Sequence, residues 1–174
     1  MLGAAVAKTL AMETDFGTVD EEEAVAEAME GVTLKPVGHV IGEVRILEDA
    51  DEIAAIEEAC RISCKAFEHM LGVIHAGMTE KQVQVELDYT MLRLGGDGLA
   101  FDTIACAGVN GSLPHAIPGD HVVQEGELLT LDFGATYGGY CADMTRTVAF
   151  GKISDELHDI YDTVLKAQLM SLDM

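Results

Sequence analysis

The sequence predicts an α+β fold in which an antiparallel sheet is covered by helices. Two observations support this prediction. Residues 49–94 contain two helical patterns in succession, with apolar residues recurring three and four positions apart. Residues 127–133 and 140–150 are short apolar runs on either side of the glycine-rich segment GATYGG, which is typical of a β-hairpin. Together they predict helices packed on a hairpin.

The opening of the chain differs from the rest. Met1–Gly31 predicts a short helix, a turn near Gly17 and a second helix over the acidic segment DEEEAVAEAME. Val32–Leu47 predicts a strand-like run that a proline and a glycine interrupt. We therefore expect residues 1–48 to form a separate piece of structure.

Asp49–Ala76 is the longest helical pattern. Asp49 and Glu52 have the spacing of a capping box at its start. Cys60 and Cys64 share one face and could clasp a metal ion, but we interpret them as small buried apolar residues. The apolar positions at helical spacing predict the buried face, which comprises Ile53, Ile56, Cys60, Cys64, Phe67, Leu71 and Ile74.

A second helix follows at once. Thr79 and Gln82 predict a capping box at its start, and Gly95 and Gly96 predict its end. Its buried stripe is expected to comprise Val83, Leu87, Met91 and Leu94. The preceding helix carries or adjoins two histidines without an acidic or histidine partner at ligand spacing, so we expect His69 and His75 to be surface or core residues.

Ala100–Ala107 predicts a strand and Gly108–Glu125 a long loop with two prolines. His115 lies in that loop, where a histidine is most often a surface residue. His121 is a weaker candidate for a function. Ser154 is expected to begin a final helix whose apolar side comprises Ile160, Val164, Leu165 and Leu169.

Two isolated aspartates stand in the predicted hairpin. Asp132 and Asp143 are eleven positions apart, and their midpoint falls between Tyr137 and Gly138, inside the turn. A hairpin folded about that point places the two aspartates directly opposite each other. Directly opposed residues have Cβ atoms about 4.5–5.5 Å apart and point to the same face.

Two bare carboxylates at that separation repel, so a shared proton, an arginine or a metal ion must offset the repulsion. Arg146 is three positions after Asp143 and therefore points to the other face of its strand. We favour metal, since carboxylate and imidazole ligands suit Mn²⁺, Co²⁺, Fe²⁺ or Zn²⁺. The alternative is that Asp132 and Asp143 are exposed residues flanking a turn.

Three motifs carry a resemblance to a known family. DFGATYGGYCADMTRTVAFG, the upstream SLPHAIPGD and the still earlier FDTIACAGVNGS resemble the proline-specific branch of the pita-bread metallopeptidases, the Xaa-Pro aminopeptidases and dipeptidases. The resemblance covers roughly residues 40–174. It implies that Asp132 and Asp143 bind a dinuclear metal centre, and that His115 lies near the substrate and assists the tetrahedral intermediate.

The resemblance also implies a domain organisation and an activity. Residues 49–174 would form the first half of a pita-bread catalytic domain, and residues 1–48 the remnant of an N-terminal domain. The remaining ligands, one histidine and two glutamates, are expected after residue 174, and His158 is no substitute for them. The expected activity is cleavage of Xaa-Pro bonds by a metal-bridged hydroxide. Alternatives are a non-catalytic fragment or protein-binding module, and a methionyl aminopeptidase.

Composition limits the partners. The net charge is −21, from 31 acidic and 10 basic residues, which argues against nucleic acid and anionic membrane surfaces. No apolar run approaches 18 residues, and no secretion signal is evident. We expect a cytoplasmic protein that acts on peptides with proline at the second position, and association into a homo-oligomer stays open.

Overall fold

A computed structural model describes residues 8–172. The chain divides into two compact units, residues 1–49 and residues 50–174, and each is described by itself. Among the described residues, no helix combines the length and the apolar character that crossing a membrane requires.

The first unit is built on two parallel strands. Strand β1 (Thr9–Glu13) pairs with strand β2 (Thr33–Val37), and helix α1 (Val19–Ala28) connects them. Parallel strands need such a crossover, because the chain must return to the same end of the sheet. The start of α1 is fixed by a capping box in which Thr18 and Glu21 satisfy each other's backbone N–H groups.

Two predictions for this unit are wrong. The short helix expected near the start is strand β1 over residues 9–13, and the first seven residues lie outside the described part of the chain. The strand-like run expected to reach Leu47 ends at Val37, and helix α2 (Val40–Arg45) follows. Pairing with a parallel partner is a tertiary event, which the local pattern of residues 9–13 does not specify.

Three helices belong to the second unit: α3 (Ala50–Val73), α4 (Glu80–Arg93) and α5 (Asp155–Leu172). Helix α4 starts as predicted, since Thr79 accepts the backbone N–H of Gln82 and Gln82 accepts that of Thr79. Its predicted stripe is also confirmed: Val83, Leu87 and Met91 are fully buried, and Leu94 packs against the same core.

The predicted buried face of α3 is confirmed for Phe67 and Ile74, which pack against the core, but is otherwise displaced by about one position. Cys60 and Cys64 are exposed, and Leu71 is 57% exposed. The face that is buried comprises Ala59, Ile62, Ser63, Ala66 and Met70. Most of these residues directly precede a predicted position, and one residue corresponds to a rotation of about 100° around a helix.

Close packing of α3 against the strand that contains Ala135 explains why the buried face of the helix differs from the predicted one. The buried face of α3 contains the small residues Ala59, Ser63 and Ala66, which let the helix axis lie near the strands. The Ser63 hydroxyl donates to the Ala59 carbonyl at 3.0 Å and accepts the backbone N–H of Ala135 at 3.0 Å. The small side chains of this face and the two hydrogen bonds of Ser63 therefore help to determine which face of α3 is buried, and counting apolar residues alone does not reveal it.

Six short strands complete the second unit: β3 (Gly98–Leu99), β4 (Ile104–Ala107), β5 (Leu128–Phe133), β6 (Ala135–Tyr137), β7 (Tyr140–Cys141) and β8 (Met144–Ala149). They form two antiparallel sheets of three strands among the described residues, in the orders β3-β6-β7 and β4-β5-β8. The strand expected over residues 100–107 is shorter, since β4 covers only its second half, and β3 precedes it in the other sheet. The long loop is present, with a 3₁₀ turn at Asn110–Ser112.

The core of this unit lies on one face of the β4-β5-β8 sheet. Along β5 the burial alternates, and Leu129, Leu131 and Phe133 are fully buried against α3 and α4. The ring of Phe133 stacks on that of Phe67 with centroids 6.3 Å apart. Because β5 buries only its odd-numbered residues, its even-numbered residues form the opposite face of the sheet.

Helix α5 has no buried residue among those described. Its predicted apolar side is present as a sequence pattern, but the four residues of that side are each at least 38% exposed. These residues are Ile160, Val164, Leu165 and Leu169.

Candidate metal centre

The second face of the β4-β5-β8 sheet is polar where β5 meets β8. Asp132 on β5 is half-buried, and its Oδ1 accepts the hydroxyl of Thr145 on β8 at 2.9 Å. One step along the ladder, the hydroxyls of Thr130 and Thr147 are 3.4 Å apart. A carboxylate therefore stands among hydroxyl groups on a rigid pair of strands.

The predicted pairing of the two aspartates is wrong. Asp132 lies opposite Thr145, and Phe133 lies opposite Met144. Asp143 lies between β7 and β8, outside both strands, and is exposed.

The turn explains the shift. The hairpin folds about Gly138 and Gly139, one position later than expected, and both glycines have positive φ values, 58° and 86°. Two residues with positive φ form the type of turn that matches the twist of a hairpin. Moving the turn by one position moves the register by two residues. That shift keeps residues on their faces, because side chains alternate with a period of two.

Convergence of Asp132 and Asp143 on one face stays a prediction. On a regular ladder with this register, Asp143 would be the diagonal neighbour of Asp132, with Cβ atoms about 7–8 Å apart. Ala142 and Asp143 belong to neither β7 nor β8, so the regular spacing of a strand pair does not fix the position of the Asp143 side chain. Arg146 pairs with Leu131 and so belongs to the other face, as expected.

An open hollow of about 220 Å³ adjoins Asp132 and Thr145. The loop before β5 also lines it, and contributes Leu113 and Pro114. His115 is the next residue and is exposed. The loop that carries the candidate histidine therefore borders the same hollow as Asp132. A larger surface hollow of about 640 Å³, at the start of α4, includes neither aspartate.

The donor set determines what this face can hold. Carboxylate oxygens are ligands for hard and borderline divalent cations, so Asp132 and Asp143 suit part of a metal site. Within residues 8–172, however, no group of three or more His, Cys, Asp or Glu side chains is placed to hold a metal ion. The described residues alone thus offer an incomplete coordination sphere.

Cys106 shares this side of the sheet, because it pairs with Thr130 on β5. Burial, and to a lesser extent the nearby Glu80 carboxylate, raises the pKa of its thiol to about 11. The other three cysteines, Cys60, Cys64 and Cys141, are exposed.

These environments predict two classes of thiol. At pH 8 we expect Cys60, Cys64 and Cys141 to react readily with a disulfide reagent, while Cys106, ionised in only about one molecule in a thousand, reacts after unfolding. Timed labelling with Ellman's reagent, with and without denaturant, measures this. In Cys106→Ala the slow phase should vanish and the fast phase should stay. Four fast thiols in the native protein would contradict the burial of Cys106.

Three residues of this region were missed by sequence reasoning. Thr145, the partner of Asp132, belongs to the TRT segment that carries part of the resemblance. The Tyr140 hydroxyl donates to Glu52 Oε1 at 2.5 Å and links the hairpin to α3. Glu80, wholly buried, stands between the two residues of a capping box, and nothing near it in sequence reveals its distant partners.

The fold and this polar sheet face point to a class of protein, the metallopeptidases. The model of Metallopeptidase family M24 matches residues 54–174, more than half of the chain, and the chain belongs to this family. Members of this family use divalent metal ions.

Similar proteins agree with this assignment. The chain is 40% identical over 157 residues to the uncharacterized peptidase YqhT of Bacillus subtilis, covering 90% of this chain and 44% of that protein. It is 34% identical over 168 residues to an Xaa-Pro dipeptidase of Pyrococcus horikoshii, covering 95% of this chain and 47% of that protein. The chain therefore spans about half the length of these relatives.

Solved structures give the same result. An Xaa-Pro dipeptidase from Bacillus anthracis matches with a TM-score of 0.88 and 38% identity, over 93% of this chain and 45% of that one. An X-Pro aminopeptidase from Thermotoga maritima matches with a TM-score of 0.84 and 38% identity, over 92% of this chain and 46% of that one. The predicted fold, part of a pita-bread architecture, is confirmed.

Proposed function

We propose that this chain is part of a metal-dependent exopeptidase that cleaves peptides with proline at the second position. The observation that carries the proposal is the position of Asp132, held on a polar sheet face beside a hollow that is also lined by Leu113 and Pro114, the residues just before His115. Family membership supports the metal dependence. The names of similar proteins, Xaa-Pro dipeptidase and X-Pro aminopeptidase, support the substrate class.

In this proposal Asp132 and Asp143 are metal ligands. Two divalent ions, when bound, supply Lewis acidity and an activated water at neutral pH. The Thr145 hydroxyl donates to one oxygen of Asp132 and so fixes the rotation of the carboxylate, as partners of metal ligands commonly do. His115 acts as a hydrogen-bond donor to negative charge that develops on the substrate.

The domain organisation belongs to the same proposal. Residues 49–174 would form the N-terminal half of the catalytic domain, and the family match begins close to that boundary, at residue 54. Residues 1–48 would be the end of a preceding domain with its linker. A cytoplasmic location and a homo-oligomeric state stay predictions.

A second candidate function is a module without turnover of its own. The absence of a group of three or more ligating side chains in residues 8–172 favours it for the isolated chain. Both candidates share the fold, and only activity and metal binding separate them.

We expect the purified 174-residue chain to show no metal-dependent turnover of Xaa-Pro peptides. Two carboxylates do not neutralise two divalent ions or position a water, and such electrostatic placement contributes several kcal/mol to catalysis. The assay saturates the chain with Mn²⁺, Co²⁺, Fe²⁺ or Zn²⁺ in turn and follows proline release beside Asp132→Ala. Turnover that the substitution abolishes would show that the chain suffices.

Metal binding without turnover is tested separately. Calorimetric titration with Mn²⁺ should give a weak signal that Asp132→Asn removes and that Asp120→Asn, an exposed aspartate in the nearby loop, retains. If turnover does appear, the length and sequence of the cleaved peptides distinguish the three possible activities. A dipeptidase takes Xaa-Pro alone, an aminopeptidase also takes longer Xaa-Pro peptides, and a methionyl aminopeptidase takes methionine-first peptides without proline.

A further inference from the structure

Glu80, the first residue of α4, is a carboxylate that the protein buries completely. Its Oε1 accepts the backbone N–H of Ala107 at 2.8 Å. Its Oε2 accepts the side-chain amide of Asn110 at 2.8 Å and the backbone N–H of Gly119 at 3.0 Å. A buried carboxylate is costly unless it is fully hydrogen-bonded, and these three donors supply the bonds.

All three donors come from one segment, residues 107–119. Ala107 ends strand β4, Asn110 opens the 3₁₀ turn, and Gly119 follows the second proline of the loop. His115 lies between the last two donors. Glu80 thus connects the beginning and the end of the loop that carries the candidate histidine.

The backbone of α4 holds the same end of the loop. The N–H of Glu80 donates to the His121 carbonyl at 2.9 Å, and the N–H of Lys81 donates to the Gly119 carbonyl at 3.1 Å. Residues 119–121 are therefore fixed to the first turn of α4, and the Glu80 side chain extends this attachment to Ala107 and Asn110.

The loop in turn sets the position of His115 relative to Asp132. Leu113 and Pro114 line the same hollow as Asp132, and His115 directly follows them. We propose that Glu80 is a positioning residue, whose three hydrogen bonds hold the His115 loop at the polar face of the sheet. The inference deepens the proposed function and rests on it only for the chemical role of His115.

A carboxylate is needed here, because all three partners are donors. Glutamine keeps the shape of glutamate but replaces one acceptor oxygen by an NH₂ group, which would face a backbone or amide N–H. Glu80→Gln therefore removes part of the attachment with little change of volume. Glu86→Gln is the matched control, since Glu86 lies on the same helix, is only partly buried and contacts His69 on α3.

The first measurement is amide hydrogen exchange by NMR on the complete chain. In Glu80→Gln the N–H groups of Ala107 and Gly119 should exchange about tenfold faster or more, because they lose a charged acceptor. Glu86→Gln should leave both rates unchanged. Unchanged rates in Glu80→Gln would overturn the proposal.

The second measurement separates positioning from general stability. The ring proton signals of His115 should shift or broaden in Glu80→Gln, while the methyl signals of Leu87 and Leu131 in the core stay in place. A purely structural role would lower the melting temperature and leave the His115 ring signals unchanged, which would contradict the proposal.

Asn110→Ala covers the case in which Glu80→Gln does not fold. It removes one donor at the half-exposed side of the cluster and leaves the bond from Ala107 intact. We expect the His115 signals to shift and the Ala107 amide to stay protected; unshifted His115 signals would overturn the proposal. Neither metal nor substrate is present in these measurements, so their outcome is independent of whether the proposed peptidase function holds.

Discussion

Phe133→Ala is expected to lower the free energy of unfolding of the second unit by about 3–5 kcal/mol, the usual cost of emptying a buried phenylalanine site. Phe133 is fully buried at the end of β5, the central strand of its sheet. Its ring stacks on Phe67 of α3, so alanine would leave a cavity between the helix and the sheet. Urea unfolding followed by far-ultraviolet circular dichroism measures the change.

Ile117→Ala is the control for this experiment. It also shortens a large apolar side chain in the second unit, but Ile117 is 83% exposed, so its effect should stay within about 0.5 kcal/mol. Equal effects of the two substitutions would mean that Phe133 is not packed as described.

Gly134→Ala is expected to destabilise the hairpin by about 1–3 kcal/mol or more, by forcing an atom into a filled space. A Cβ at Gly134 would lie 1.8 Å from the carbonyl oxygen of Ala142 and 2.7 Å from its carbon. Because these are backbone atoms, a side-chain rotation cannot relieve the contact. The strand must move, and Asp143 moves with it relative to Asp132.

Gly72→Ala is expected to have the opposite effect on stability. Gly72 lies in α3, and nothing lies within 4 Å of a Cβ added there, so alanine should stabilise the helix by about 0.5–1 kcal/mol. Urea unfolding compares the two variants, and backbone amide shifts of residues 141–145 report movement of the hairpin. A neutral Gly134→Ala with unchanged shifts would contradict the close approach of the strands.

The features that could be predicted from the sequence depend on neighbouring residues. The capping box of Thr79 and Gln82 spans three positions, and the stripe of α4 repeats every three or four. Such patterns act within one or two turns, so the sequence states them directly. The motifs around Asp132 and Asp143 could also be recognised from the sequence, because each is a short contiguous run of residues.

The register of the hairpin was not predicted, although its signal was present. GATYGG offers three glycines, and only the adjacent pair, Gly138 and Gly139, takes positive φ values. Gly134 serves a different purpose, the close approach of Ala142. Both needs select glycine, so composition alone left the centre of the turn uncertain by one residue and the pairing by two.

The sequence by itself thus determined the family, the helices α3, α4 and α5, the presence of a hairpin between α4 and α5, and the residues on which the proposed chemistry rests. Tertiary structure alone decided which face of α3 is buried, that residues 9–13 form a strand, and that Glu80 reaches Ala107 and Gly119. The physical reason is the distance along the sequence between the groups that interact. Close packing, strand pairing and buried hydrogen bonds join groups that lie far apart in the sequence, as in the 72 positions between Ser63 and Ala135, and no local pattern encodes such a partner.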